Sequence, residues 1–316
     1  MSFANDVKKE ISAGKLGARH CVLAETAAIV MNNGELIETD KGLCLEIGTD
    51  RYITAVRFRK LIKDGFGVLM QVSVRCGHPG SVKRYLLREQ NPGTVNRILD
   101  ALKLEHKAAR LFEQDIPVNE ILLMSSCCRR ALLAGSFLCC GTMSSPDKSY
   151  HLELVSSGMR KALQMASMMC AFDLEPRVIR RRNHYVVYIK EGGQLSDMLN
   201  IMQATNSLLE YENIRITREI RGNINRVVNC ETANIRKTVS AARMQVEDII
   251  LIRDHIGMSK LTKELYDTAM MRLQNEEATL KELGAMMNPP VGKSGMNHRF
   301  QKLKKMADEI RASMEE

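Results

Sequence analysis

The chain has 316 residues, with 46 Lys+Arg against 37 Asp+Glu for a formal net charge of +9, and 45% apolar content. At about 100–200 residues per domain this excludes one small domain, and the apolar fraction without a long charge block excludes a largely disordered chain. Seven Tyr, seven Phe, no Trp and twenty Met leave the cores to aliphatic side chains and Met, and make base-stacking platforms of the RRM type scarce.

The N-terminus, Met1-Ser2-Phe3-Ala4-Asn5-Asp6, lacks a basic region followed by an apolar stretch, so no export signal is expected. The longest apolar run, residues 131–143, is broken by Gly135, Ser136, Gly141 and Thr142 and falls short of the roughly 18–20 residues of a spanning helix, so no membrane is expected. Nine cysteines, with adjacent pairs Cys127-Cys128 and Cys139-Cys140, suit reduced cytoplasmic thiols better than a disulfide framework. No CxxC or locally clustered Cys/His spacing occurs, so no structural zinc, and no other cofactor, is expected.

A first repeated unit begins with a helix carrying small residues on one face: Ala24, Ala27 and Ala28 at i, i+3 and i+4. A strand at 43–48, a helix at 50–64, strands at 68–75 and 82–88 and a helix at 91–104 follow. The pattern then repeats at an offset of 107 residues: Cys21 recurs as Cys128, Ala24, Ala27 and Ala28 as Ala131, Ala134 and Gly135, Gly34 as Gly141, and Leu45-Glu46-Ile47 as Leu152-Glu153-Leu154. After the second small-residue helix come a strand at 150–155, a helix at 158–172, strands at 177–182 and 184–190 and a helix at 194–203. Each unit reads α-β-β-α-β-β-α. The two small-residue helices are expected to pack together, because small side chains let backbones approach closely.

The expected fold is therefore α+β: a pseudo-two-fold domain at 1–205, with copies at about 18–106 and 119–205, a linker at 206–224, and an all-α domain at 225–316. Near the junction Arg215, Arg218, Arg221, Arg226, Arg236, Lys237 and Arg243 face only Glu219 and Glu231, which reads either as a solvated helix face or as phosphate contact.

Thr279 and Glu282 form a capping-box pattern, Leu280, Leu283 and Met287 give a short apolar stripe, and Pro289-Pro290 stop that helix. A second helix is expected from Ser294. Met296, Phe300, Leu303, Ala307 and Ile310 would form its apolar face, leaving Asn297, His298, Gln301, Lys302 and Lys305 outward, with Lys293, Arg299 and Lys304 adding charge. A capped helix, a turn and a basic amphipathic helix form the pattern of a helix-turn-helix, in which amide, imidazole and guanidinium groups read base edges and lysines meet phosphates. Gly292-Lys293-Ser294 imitates a P-loop ending, but Met287 stands where its first glycine belongs, so nucleotide binding is not expected.

His20, His78, His106, His151, His184 and His255 are scattered without a Ser, Cys or Asp arrangement at catalytic spacing, and read as solvated or structurally paired. Arg177, Arg180, Arg181 and Arg182 read either as a polyanion contact or as a charged edge that discourages strand pairing.

The segment LAGSFLCCG at 133–141 resembles the LAGLIDADG motif of homing endonucleases, whose two helices pack together and place an acid before the closing glycine to hold divalent metal. The matching positions here are Asn33 and Cys140. An amide and a thiol are poor ligands for hard cations such as magnesium, so the resemblance implies a retained frame without nuclease chemistry. The alternative, an active metal-dependent endonuclease, would need other acids such as Glu25, Glu35 or Asp40.

Residues 218–242, REIRGNINRVVNCETANIRKTVSAA, closely resemble the segment joining the domains of the bacterial WhiA regulators, and residues 283–303, LGAMMNPPVGKSGMNHRFQKL, resemble their terminal helix-turn-helix, which is similar to sigma-factor region 4. The resemblance implies a sequence-specific transcription regulator in the cytoplasm, associated with the nucleoid and linked to sporulation, cell division and chromosome segregation. Its implied partner is double-stranded DNA at promoter regions, with other regulators or RNA polymerase as further candidates. The expected DNA-binding residues are Lys293, Ser294, Asn297, His298, Arg299, Lys302 and Lys305, with Arg226, Arg236 and Lys237 on the junction. Operator sequence and oligomeric state stay open.

Overall fold

The computed structural model describes residues 2–76, 83–107 and 109–315. It divides into two compact units, Met1–Glu219 and Ile220–Glu316. The first begins with α1 (Phe3–Ala13), then runs through α2 (Arg19–Asn33), β1 (Gly34–Thr39), β2 (Gly42–Thr49), α3 (Tyr52–Phe66), β3 (Gln71–Arg75), β4 (Arg84–Glu89), α4 (Pro92–Leu102) and the short β5 (Ala109–Arg110). The second copy comes next as α5 (Ser126–Cys140), β6 (Gly141–Met143), β7 (Leu152–Ser156), α6 (Met159–Cys170), β8 (Arg177–Arg181), β9 (His184–Ile189) and α7 (Gly192–Ile201). The α-β-β-α-β-β-α order holds in both, and only Val82 of the expected strands lies outside the described residues.

Two antiparallel sheets result, ordered β3-β4-β2-β1-β5 and β6-β7-β9-β8. The duplication extends to register: Gly34 pairs with Ile47, and Gly141 with Leu154. Both glycines turn a central helix directly into a strand. A Cβ on Gly34 would come within 2.4 Å of the Val30 carbonyl oxygen, and one on Gly141 within 2.3 Å of the Phe137 ring, so no side chain fits at either corner. Helices α2 and α5 pack through their small faces, with Ala24, Ala27, Ala28, Ala134 and Gly135 all buried, and the core of the unit spreads from them beneath both sheets. Glu25 sits at this seam. The Arg57 guanidinium of α3 grips its carboxylate with two hydrogen bonds of 2.8 Å and donates a third, 2.6 Å, to the Gly14 carbonyl.

The next helix, α8 (Thr205–His255), is 51 residues long and contains the boundary between the units. The expected linker at 206–224 is therefore helix. Its first turns belong to the first unit, because Glu10 of α1 accepts the backbone N–H groups of Asn206 and Ser207 at 2.6 and 2.8 Å and so caps the helix. Tyr211 is fully buried between Phe3 and Tyr150, and Arg218 lies over the Tyr150 ring while donating to the Pro146 carbonyl at 3.0 Å.

The second unit is helical. The remainder of α8 packs with α9 (Lys263–Gln274), α10 (Leu280–Met286) and α11 (Lys293–Glu315) around Ile249, Ile252, Leu265, Ala269, Leu283, Met296, Phe300, Leu303, Ala307 and Ile310. Arg272, 1% exposed, organises this core without a carboxylate partner among the described residues. It donates to Gln245 of α8 at 3.0 Å and to the Asn275, Glu276 and Ala278 carbonyls at 3.3, 3.3 and 2.6 Å, and its guanidinium lies over the Phe300 ring. Arg311 reaches from α11 to the buried Asp248 of α8.

Candidate nucleic-acid interface

Helix α10 starts as its sequence dictates. The Thr279 hydroxyl accepts the Glu282 N–H at 3.3 Å, and the Glu282 carboxylate accepts the Thr279 N–H at 2.7 Å, satisfying two otherwise orphan donors. Those bonds hold the Glu282 carboxyl below its ordinary range. The turn then folds back on α10: Val291 N–H donates to the Gly284 carbonyl at 2.8 Å, and a Cβ on Gly284 would fall 2.0 Å from the Val291 carbonyl oxygen. Only glycine allows that approach, and it fixes the direction in which α11 leaves the turn.

Along α11 the apolar stripe Met296, Phe300, Leu303, Ala307 and Ile310 is buried. On the opposite side Ser294, Asn297, His298, Gln301, Lys302 and Lys305 are exposed in one row of helical spacing, with Lys293 exposed at the start. Among the described residues no carboxylate pairs with Lys293, Lys302 or Lys305. Arg299 differs from the sequence expectation. It is three residues after Met296 and four before Leu303, so it leans toward α9, its side chain only 20% exposed and 3.9 Å from the Glu264 carboxylate, with Thr268 Oγ1 at 3.4 Å. It is a brace between α9 and α11 rather than part of the open row.

On α8, Arg226, Arg236 and Lys237 are exposed, and none has a carboxylate partner among the described residues; Arg226 bonds the Asn223 side-chain amide. Their basic neighbours Arg215 and Arg243 are paired with Glu212 and Glu247, both at 3.0 Å.

The two positions that would carry acids in a LAGLIDADG nuclease are engaged elsewhere. Asn33 Nδ2 donates to the Gly48 carbonyl at 2.6 Å, and the Cys140 thiol donates to the Ser136 carbonyl at 3.1 Å. Burial pushes the Cys140 thiol up to about 11, so it is neutral at physiological pH. Two buried lysines lie at the same ends of the central helices: Lys8 Nζ donates to the Leu138 carbonyl at 3.2 Å, and Lys161 Nζ to the Met31 and Leu111 carbonyls at 2.8 and 2.9 Å. These ammonium groups meet the negative ends of the helix dipoles, a place otherwise suited to a cation. Of the substitute acids, Glu25 is neutralised by Arg57, Glu35 pairs with Arg110 at 3.2 Å, and Asp40 is exposed in the β1–β2 turn.

Most histidines are solvated or structurally paired. His106 contacts Asp100 at 2.9 Å, His151 contacts Glu153 at 2.7 Å, His255 contacts its own helix and His184 is exposed; His78 lies outside the described residues. His20 is the exception, since the fold sets it and Cys21 at the start of α2 beside Cys127 and Cys128 at the start of α5. The locally clustered Cys/His pattern that is absent from the linear sequence is thus made by the helix pairing. Arg177, Arg180 and Arg181 are exposed on β8, the edge strand of its sheet, and Arg181 pairs with Glu153 at 3.0 Å.

A duplicated α-β-β-α-β-β-α frame with an amide and a thiol at the two motif positions, followed by a helical unit that ends in a capped helix, a turn and a basic amphipathic helix, defines the class: a LAGLIDADG-like domain joined to a helix-turn-helix domain. Comparison with known families matches the WhiA N-terminal LAGLIDADG-like domain to residues 19–105, the WhiA LAGLIDADG-like domain to 129–221 and the WhiA C-terminal HTH domain to 224–307. The chain belongs to the WhiA family. A "probable cell division protein WhiA" of Lachnoclostridium phytofermentans is 42% identical, covering 98% of this chain and 100% of the relative. Its counterpart in Alkaliphilus oremlandii is 40% identical over 98% of both chains. The crystal structure of full-length DUF199/WhiA from Thermatoga maritima superposes with a TM-score of 0.59 at 22% identity, covering 98% of this chain and 99% of that one, a likeness of fold. Among the described residues no helix is long and apolar enough to cross a membrane.

Proposed function

We propose that this chain is a sequence-specific DNA-binding transcription regulator without nuclease activity, acting in the cytoplasm on the nucleoid and serving cell division, as the names of its relatives indicate for them. The observation that carries the reading is the open row on α11: Ser294, Asn297, His298, Gln301, Lys302 and Lys305 stand clear of the core on a helix whose other face is buried. Amide and imidazole groups in such a row suit base edges in the major groove, and the lysines suit the flanking phosphates. Arg226, Arg236 and Lys237 supply further phosphate contacts. Promoter DNA is the partner, and RNA polymerase or other regulators would meet the chain there.

The loss of cleavage rests on the donor set. With Asn33, a neutral Cys140 and two buried ammonium groups at the helix ends, the site repels a divalent cation instead of ligating one.

The test is a genome-wide map of bound sites, followed by binding of the recovered sites to the full chain across a salt series. Discrete sites whose affinity falls linearly on a log–log salt plot support the reading. Uniform, sequence-independent binding would overturn specificity, and magnesium- or manganese-dependent strand breaks in those same sites would overturn the loss of cleavage.

A further inference from the structure

At the start of the paired helices, His20 and Cys21 of α2 meet Cys127 and Cys128 of α5, and the four ligand atoms all lie within 4.8 Å of one another. His20 Nδ1 faces all three sulfurs, at 3.1 Å from Cys128, 3.4 Å from Cys21 and 3.9 Å from Cys127. The group is built by the duplication: Cys21 and Cys128 are equivalent positions of the two copies, as are His20 and Cys127, 107 residues apart. None of these cysteines is in a disulfide, and none of the four residues serves the nucleic-acid interface described above.

From this geometry we infer that His20, Cys21, Cys127 and Cys128 form a Cys3His site for a tetrahedral zinc ion that joins the two repeats at their pseudo-two-fold axis. Zinc bonds of about 2.3 Å to sulfur and about 2.0–2.1 Å to nitrogen set the edges of a tetrahedron at about 3.8 Å between sulfurs and about 3.5 Å between sulfur and nitrogen. The nitrogen–sulfur separations here bracket the second value, and the sulfurs, all within 4.8 Å of one another, lie within a side-chain adjustment of the first. A disulfide would use two of the three thiols and leave the third and the imidazole converging on nothing.

Charge supports the same occupant. Zinc coordination releases one proton from each of three thiols and takes His20 as neutral imidazole, leaving the centre with one net negative charge. Two helix N-termini favour thiolate over thiol, and Arg130 lines the cleft of about 480 Å³ that adjoins the cluster. The donor set of three sulfurs and one nitrogen selects zinc over magnesium or calcium. With four protein ligands the site is closed, so its effect is structural: it ties α2 to α5 at the ends opposite Lys8 and Lys161.

The experiment uses the full chain, purified without chelator for metal analysis, and then stripped under reducing conditions and titrated with cobalt(II), whose spectrum reports thiolate ligation. We expect one zinc ion per chain as isolated, a thiolate-to-cobalt charge-transfer band, tetrahedral ligand-field bands that zinc abolishes, and a higher melting temperature with zinc. The exposed-position variants Cys127→Ser and His20→Gln should weaken cobalt binding at least about tenfold, the effect of losing one ligand interaction worth about 1.4 kcal/mol. Cys230→Ser, on the exposed surface of α8, should leave it unchanged. The proposal is overturned if the reduced wild-type chain gives no charge-transfer band, if Cys230→Ser loses the band as fully as Cys127→Ser, or if the isolated chain carries a disulfide among these cysteines and takes up no metal once reduced.

Discussion

Lys161 of the second copy donates its ammonium to the carbonyl oxygen of Met31, the last turn of the first copy's central helix, at 2.8 Å. Lys8 does the same for Leu138, the equivalent residue of the other central helix. Burial lowers both ammonium groups to about 8, with Arg51 adding to the effect at Lys8. Between about pH 8 and the ordinary lysine value of 10.5 the folded chain has released these protons while the unfolded chain still holds them, so stability gains with rising pH across that window. Relative to a Lys8→Met, Lys161→Met double variant, the wild type should gain up to about 3 kcal/mol per lysine over that range. Urea unfolding at a series of pH values measures the difference, and a pH-independent gap would contradict the assignment.

Gly135 sets how closely the central helices meet. A Cβ there would sit 3.0 Å from both Ala28 Cβ and the Glu25 carbonyl oxygen. Gly135→Leu should therefore cost about 3 kcal/mol or more by overpacking, although leucine is the better helix former. Adding Ala28→Gly should return at least about 0.5 kcal/mol beyond additivity, measured by a double-mutant cycle in denaturant.

Removing the Arg272 guanidinium takes a donor from the Asn275, Glu276 and Ala278 carbonyls inside the helical unit, leaving Asn275 with the Ala278 N–H at 3.3 Å. Arg272→Met should destabilise that unit by about 3 kcal/mol. Arg272→Lys should recover little of it, because an ammonium cannot span Gln245 and the carbonyls with a planar fork. Helix loss monitored by circular dichroism, with the first unit's transition as internal reference, reads the effect.

Lys302 and Arg299 separate binding from stability. Lys302→Ala should weaken a recovered genomic site by about 1–3 kcal/mol if the side chain meets a base, or lower the salt slope by about one if it meets a phosphate, with the melting temperature unchanged. Arg299→Ala should lower stability by about 1 kcal/mol or less through the lost contacts to Thr268 and Glu264. Its affinity, compared at a temperature where both chains are folded, should change less than that of Lys302→Ala.

Much of the fold is written in local spacing. The small residues at 24, 27 and 28 and at 131, 134 and 135 announce the α2–α5 contact, and Thr279 with Glu282 announces the start of α10, because both signals act within one turn of helix. Arg299 is legible too, since i+3 from Met296 and i+4 to Leu303 place it beside the apolar stripe; its charge obscures that. Arg272 gives no such sign, as its partners come from α8 and a loop that only the fold assembles. The His20, Cys21, Cys127 and Cys128 group sits between these cases. No linear motif spans 107 residues, yet the recurrence of Cys21 as Cys128 on helices expected to pack implies that those two thiols meet.

The capping of α8 by Glu10 bears on how such a chain can be divided. Residues 205–219 are continuous in sequence with the helical C-terminal unit, but their hydrogen bonds and the Tyr211 ring belong to the duplicated N-terminal one. A scissor cut placed just after α7 would strip the N-terminal half of a wall and hand the C-terminal half a stub of greasy helix. Any two-piece dissection of the molecule should therefore sever it beyond Glu219, inside the long helix itself.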